Sequence, residues 1–215
     1  MERRRIGFIT GLAAEAALLR GTGFAVAAGG GEPAGALRAA QHLLAGGAQA
    51  LVSFGLAGGL RADLRPGAVL VPCAVLEAGQ RFACDTALME LLGGSTGEPI
   101  LAGEKIAASA REKAALVARY QAPAIDLESG AVARAANAHG VPFAVLRAVA
   151  DPAARNLGPA ALTPLKPGGG IDLAAILRSV AAHPGQLPGL LALARDAAKA
   201  RRALRAALVV VACQI

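Results

Sequence analysis

Three carboxylates stand where apolar runs end, and such positions suit acid–base chemistry. Asp151 follows VPFAVLRAVA (Val141 to Ala150), the most strand-like segment of the chain, and precedes Pro152. A carboxylate at that edge is partly desolvated, which raises its pKa and suits a general acid. A cap on the following turn is the alternative reading. Glu128 sits where the short apolar run Ala124 to Leu127 meets a helix, and the helix dipole favours a carboxylate there. Asp126, two residues earlier, is expected on the opposite face from Glu128. Glu15 opens a helix after the run Ile6 to Thr10 and reads equally well as a first-turn helix acid.

Two glycine clusters could bring backbone close to a ligand. GLAGGL (Gly55 to Leu60) is GxxGG rather than GxGxxG, so it is no dinucleotide fingerprint. It serves a ligand or merely a tight turn. Gly29 to Gly31 could form a nest for an anion, with Arg38 nearby, or an ordinary loop. His42, His139 and His183 share no spacing and read as surface or core filler.

The elements that would carry these residues alternate. Strands are predicted at Ile6–Thr10, Phe24–Ala28, Ala50–Phe54 (stopped by Gly55), Ala68–Leu76, Ala124–Leu127 and Val141–Ala150. Helices are predicted at Ala13–Leu19, Pro33–Ala45, Arg81–Leu92, Ala108–Tyr120 and Gly130–His139. A Pro/Gly-rich connection, Pro159 to Gly170, leads to two further helices, Asp172–Ala182 and Leu187–Val211. Such alternation predicts a three-layer α/β/α fold around a mixed, mostly parallel sheet. Residues 1–215 are expected to form one domain with a basic helical tail, 187–215. In such sheets ligands bind outside the carboxyl ends of the strands, where four candidates fall: the turn Thr10 to Glu15, the glycines at Gly55 to Gly59, Glu128 and Asp151.

Composition narrows the function classes. The apolar fraction is 55% with a mean hydropathy of +0.50, but 55 of the residues are alanine, which buries little surface. The uncharged stretch from Ala39 to Leu60 carries two glycine pairs, two Gln, a His and a Ser, and reads as helix, turn and strand rather than a membrane span. MERRR followed by Glu15 does not read as a signal peptide. Cys73, Cys84 and Cys213 lack CxxC or His-linked spacing, which predicts free thiols, no metal site and a cytoplasmic setting. With 3% aromatics and no Trp, base stacking on nucleic acid has little to work with. The +7 charge is terminal: the first five residues hold +2 and the tail +4, leaving the body at +1.

The whole pattern resembles the purine nucleoside phosphorylase and methylthioadenosine/adenosylhomocysteine nucleosidase superfamily, from Ile6 to about Pro152. IGFITGLAAEAALLR is similar to the nucleosidase opening, SFGLAGGL to the glycine-rich base and ribose loop, and AIDLESGAVARAANAHGVPFAVLRAVAD to the longest motif. The resemblance implies that Asp151 works at the purine N7 and that Glu15 activates water. It implies that Glu128 holds the ribose hydroxyls, with Leu127, Ser53, Gly55, Ala57 and Gly58 around the substrate. The departures are Ala150 where relatives carry serine, Leu127 where methionine is usual, no GDPxR phosphate loop, and a shortened segment from Gly21 to Gly31. The tail, ILRSVAAHPGQLPGLLALARDAAKARRAL, looks like the hopanoid-associated subgroup, thought to remove adenine from adenosylhopane.

The resemblance further implies an enzyme without a cofactor. Inorganic phosphate would be its co-substrate if it is a phosphorylase, with Gly29, Gly30, Gly31 and Arg38 as candidates to hold it. The alternatives are a methylthioadenosine/adenosylhomocysteine nucleosidase, a general purine nucleoside phosphorylase, or a non-catalytic nucleoside-lipid binder. A homo-oligomer is implied. Arg195, Lys199 and Arg202, spaced i, i+4, i+7 and extended by Arg205, would let the tail lie on the inner membrane face, or form the solvated face of a docking helix.

Overall fold

A computed structural model describes residues 5–163 and 169–214. Glu2 to Arg4 of the N-terminal charge cluster, residues 164–168 of the predicted connection and the side chain of Cys213 lie outside the described residues. The strands are β1 (Ile6–Thr10), β2 (Ala25–Ala28), β3 (Ala50–Gly59), β4 (Val69–Leu70), β5 (Ala74–Glu77), β6 (Gln80–Ala83), β7 (Ile100–Ala102), β8 (Ala124–Asp126) and β9 (Phe143–Asp151). The helices are α1 (Ala13–Ala16), α2 (Pro33–Ala45), α3 (Thr86–Leu91), α4 (Ala110–Tyr120), α5 (Ser129–His139), α6 (Leu173–Ala182) and α7 (Leu187–Gln214).

The expected fold class holds. The nine strands form one mixed, mostly parallel sheet, β2-β1-β3-β8-β7-β5-β6, with β9 beside β3 and β4 beside β9. β3 is the hub. It runs parallel to β1 on one side and to β9 on the other, and its tip pairs antiparallel with β8 at Gly58–Gly59. That register gathers the ends of β1, β3, β8 and β9 at one place. A shift between Ala57 and Gly58 skips Ala150 and sets Asp151 opposite Gly58; irregularities of this kind re-aim a side chain at a strand end.

Alanine explains how the layers close. Ala36, Ala39 and Ala40 of α2 and Ala131, Ala133, Ala135 and Ala136 of α5 are buried, and the two helices pack on each other. Small side chains let these helices approach closely while keeping high helix propensity. Against β9 lies α7, which buries Ala200, Leu204, Leu208 and Val211, a stripe at helical spacing. Pro33 fills the first turn of α2, where a missing N–H costs nothing.

Several expectations need correction. β3 does not stop at Gly55 but runs through Gly59, because β9 and then β8 supply backbone partners past the first glycine. The run Ala68–Leu76 is two strands split at Pro72, which has no N–H to donate. The predicted helix Arg81–Leu92 is strand β6 followed by α3, capped by the Asp85 carboxylate accepting from Leu88 N–H at 2.9 Å. β6 forms a hairpin with β5 through Ala78-Gly79, both at positive φ (47° and 80°). That turn normally carries Asn-Gly or Asp-Gly, and the alanine hid it. Strand β7 was not expected. The stretch Ala39–Leu60 is the end of α2, a turn and β3, and among the described residues no helix is long and apolar enough to cross a membrane.

Candidate active site

At the gathered strand ends lies a cavity of about 240 Å³. Leu12, Leu56, Ala57, Ile106, Ile125 and Leu127 give it apolar walls, and Glu15, Asp126, Glu128, Asp151 and Lys113 give it charge. α1, the β8–α5 junction, β9 and α4 deliver these groups, and the segment between β7 and α4 adds Lys105.

Glu15 is buried, and it does cap its helix. Its Oε2 accepts from the backbone N–H of Leu12 (2.8 Å) and Gly11 (3.0 Å), while Oε1 accepts from Leu56 N–H at 2.9 Å. The first-turn acid and the cavity carboxylate are thus one group. Burial pushes its carboxyl above the ordinary range, while Arg147 and the three N–H donors pull it down.

Glu128 is the N-cap residue of α5. Behind it lies Arg147, whose side chain is 1% exposed. Arg147 Nη2 lies 2.5 Å from Asp126 Oδ2, 3.0 Å from Glu128 Oε2 and donates to Ser53 Oγ at 2.7 Å. Asp126 and Glu128 therefore meet the same cation. The expectation that they diverge was wrong: β8 ends at Asp126 and the chain turns into α5, which brings Glu128 back to the cation that Asp126 meets. One guanidinium faces three carboxyls, so the cluster holds surplus negative charge. Burial, and then repulsion from Asp126 and Glu15, outweigh Arg147 and push the Glu128 carboxyl up to about 7.

Asp151 ends β9. Its Oδ2 accepts from Lys113 Nζ at 2.5 Å, and its buried Oδ1 has no hydrogen-bond partner among the described residues. Burial raises its pKa, and Lys113 opposes that rise.

Not every sequence candidate reaches the cavity. Ala57, Gly58, Leu127 and Gly31 line it. Ser53 lies beneath, fully buried, as an acceptor for Arg147. Gly55 also lies beneath: a Cβ there would sit 2.7 Å from Arg147 Nη1 and from Glu15 Oε1, so the missing side chain makes room for that pair. The phosphate candidates do not assemble. Gly29 and Gly30 donate their N–H groups to the carbonyls of Thr10 and Gly11, and Arg38 is exposed beside Glu32 at 3.5 Å.

Two charged residues escaped the sequence reading. Arg147 is an arginine within a ten-residue apolar strand, and a charge there demands buried partners. Lys113 shares the helical stripe of Leu116, Val117 and Tyr120, three residues that pack on a buried cluster. A lysine on an apolar stripe was the available sign.

A family model described as "Phosphorylase superfamily" matches residues 5–90 and 96–165. Solved structures share the fold. The 5′-methylthioadenosine/S-adenosylhomocysteine nucleosidase from Neisseria meningitidis, in complex with methylthio-immucillin-A, aligns with a TM-score of 0.70 and 18% identity, over 98% of this chain and 99% of that one. The corresponding nucleosidase from Helicobacter pylori gives 0.67 and 19%, over 85% and 100%. Futalosine hydrolase of Helicobacter pylori gives 0.63 and 19%, over 82% and 97%. A search of curated proteins returned no match.

Proposed function

The chain belongs to the phosphorylase superfamily, and from that premise we propose that it hydrolyses the N-glycosidic bond of an adenosine-type nucleoside, releasing adenine. The observation that carries this reading is the convergence of Glu15, Glu128 and Asp151 on one apolar-walled cavity. Breaking that bond requires a proton for the leaving base and stabilisation of a cationic, oxocarbenium-like sugar. Asp151, protonated, donates to the purine N7, an effect worth about 10²–10⁴-fold. Glu128 accepts hydrogen bonds from the ribose 2′ and 3′ hydroxyls, fixing the ring. Glu15 activates the attacking water, and the surplus negative charge around Arg147 favours the cationic sugar. Leu127, Ala57 and Gly58 pack around the substrate.

Hydrolysis is favoured over phosphorolysis because the backbone donors of Gly29 and Gly30 are already engaged and Arg38 is turned to solvent. Adenine release measured with and without inorganic phosphate tests this. Release independent of phosphate is expected; strict dependence would defeat the hydrolytic reading. Asp151→Asn is expected to abolish release while the fold persists.

For the 5′ substituent we propose an apolar, lipid-linked group such as that of adenosylhopane. Ile106, which lines the cavity and is 45% exposed, supports an apolar extension toward solvent. Comparing adenosylhopane with methylthioadenosine as substrates decides it: preference for the latter would make the protein a methylthioadenosine-type nucleosidase. Ligand binding without turnover would make it a nucleoside-lipid binder, the reading for which Ala150, lacking a hydroxyl beside Asp151, leaves room. The exposed Arg195, Lys199, Arg202 and Arg205 on α7 support peripheral contact with an anionic inner-membrane face. Equal liposome co-sedimentation of the full chain and of a variant with Arg195, Lys199, Arg202 and Arg205 replaced by Gln, which leaves the buried face of α7 intact, would refute that contact. A homo-oligomer, checked by light scattering, is supported by Leu173 and Leu177 on α6, a helix that buries no residue of its own.

A further inference from the structure

The carboxyl of Asp151 is held asymmetrically. Lys113 Nζ donates to its Oδ2 at 2.5 Å, to the carbonyl of Pro152 at 3.0 Å and to that of Arg155 at 3.2 Å. Three hydrogens thus meet three acceptors, and the side chain is 1% exposed. An ammonium so engaged has no lone pair to act as a base and no freedom to turn away. Ala150 offers no hydroxyl, so support for the carboxyl comes from across the cavity, on α4. Oδ1 is buried and has no hydrogen-bond partner among the described residues, so it is the oxygen free to hold a proton.

We propose that Lys113 is a positioning residue for Asp151: it clamps Oδ2 so that the transferable proton resides on Oδ1, and it stabilises the carboxylate left behind. This rests on the reading of Asp151 as the general acid. In the step, the Oδ1–H bond breaks and an N–H bond forms at the purine N7. The electron pair of the glycosidic bond passes into the base, and water adds to the ribosyl cation while its proton passes to the Glu15 carboxylate. Lys113 stays an ammonium throughout, so an acid beside a cation becomes an ion pair, which favours the forward transfer.

Other charges facing Asp151 are weaker influences. Arg155, from the segment after β9, is itself paired with Asp196 of α7 at 2.5 Å. Glu15, Asp126, Glu128 and Lys105 line the same cavity.

The test measures kcat and KM for adenine release from 5′-methylthioadenosine across pH in the wild type, Lys113→Met, Lys113→Arg and Asp151→Asn. Lys113→Met is expected to lower kcat about 10- to 100-fold with KM little changed. Its alkaline limb of kcat should move up by about one pH unit or more, because the cation no longer favours the carboxylate. Lys113→Arg should return the limb toward the wild-type position. Should Lys113→Met fail to fold, Lys113→Gln, which keeps a donor without the charge, carries the same comparison. Wild-type kcat and limb in a folded Lys113→Met, with Asp151→Asn inactive, would show that Lys113 merely ties α4 to the strand end. Full activity in Asp151→Asn would instead remove the acid reading itself, and this proposal with it. A ¹³C-carboxyl NMR titration of Asp151 gives the comparison without turnover: its midpoint should rise in Lys113→Met, and an unmoved midpoint overturns the proposal.

Discussion

Replacing Arg147 with methionine would remove the one cation that balances the carboxyl cluster. In the native protein its guanidinium touches Asp126 at 2.5 Å and Glu128 at 3.0 Å, with both arginine and Asp126 side chains 1% exposed. Removing one partner of a buried ion pair costs about 3–5 kcal/mol, because the remaining charges stay desolvated. That is a large share of the roughly 5–15 kcal/mol that holds a domain together. The loss must depend on pH, and its sign follows from the carboxyls. Glu128 already titrates near 7 when folded, above its ordinary 4.5. A carboxyl whose folded pKa is raised binds protons more readily in the native state, so it penalises the fold as pH rises from its unfolded value through its folded one. Without Arg147 the Glu15 and Glu128 carboxyls, both already raised by burial, rise further, and the penalty grows. Urea unfolding of Arg147→Met should show its full deficit near pH 8 and a deficit smaller by about 1–3 kcal/mol near pH 5, where protons replace the cation. A deficit below about 1 kcal/mol that does not change with pH would refute the argument that Arg147 neutralises this cluster.

The Glu128 value has a kinetic counterpart. If its carboxylate accepts from the ribose hydroxyls, kcat/KM should rise with pH through about 7 in the free enzyme, and Glu128→Gln should abolish that limb while raising KM. Gly55→Ala should cost about 1–3 kcal/mol in urea unfolding, since its methyl would press on Arg147 and Glu15 at once; a neutral result would mean that the pair can shift aside.

Periodicity and punctuation carried most of the fold. Pro33 marked the start of α2, and the ten-residue run VPFAVLRAVA, apolar but for Arg147, marked β9. The features that escaped depended on contacts distant in sequence. The glycines of β3 read as a loop because their strand character comes from β8 and β9, and β6 read as helix because Ala78 stands where a turn usually shows Asn or Asp. For the site, the three strand-end carboxylates were legible from position alone. Their cations carried only a sign of burial, an arginine inside an apolar strand and a lysine on an apolar helical stripe, while the carboxyls they face are set by tertiary packing. Ser53 and Gly55 sat in the right segment, but they lie further back along β3 than Ala57 and Gly58, packed against Arg147 and Glu15 beneath the cavity.

The scarcity of aromatics gives the protein a built-in optical probe. With no tryptophan and one tyrosine, its intrinsic emission comes from Tyr120 alone. That ring closes α4, lies 5.1 Å from the Arg119 guanidinium carbon and packs on the same helix that carries Lys113 to Asp151. A shift of α4 when ligand fills the cavity would change tyrosine fluorescence directly, so the coupling between this helix and the site can be followed in the unlabelled protein.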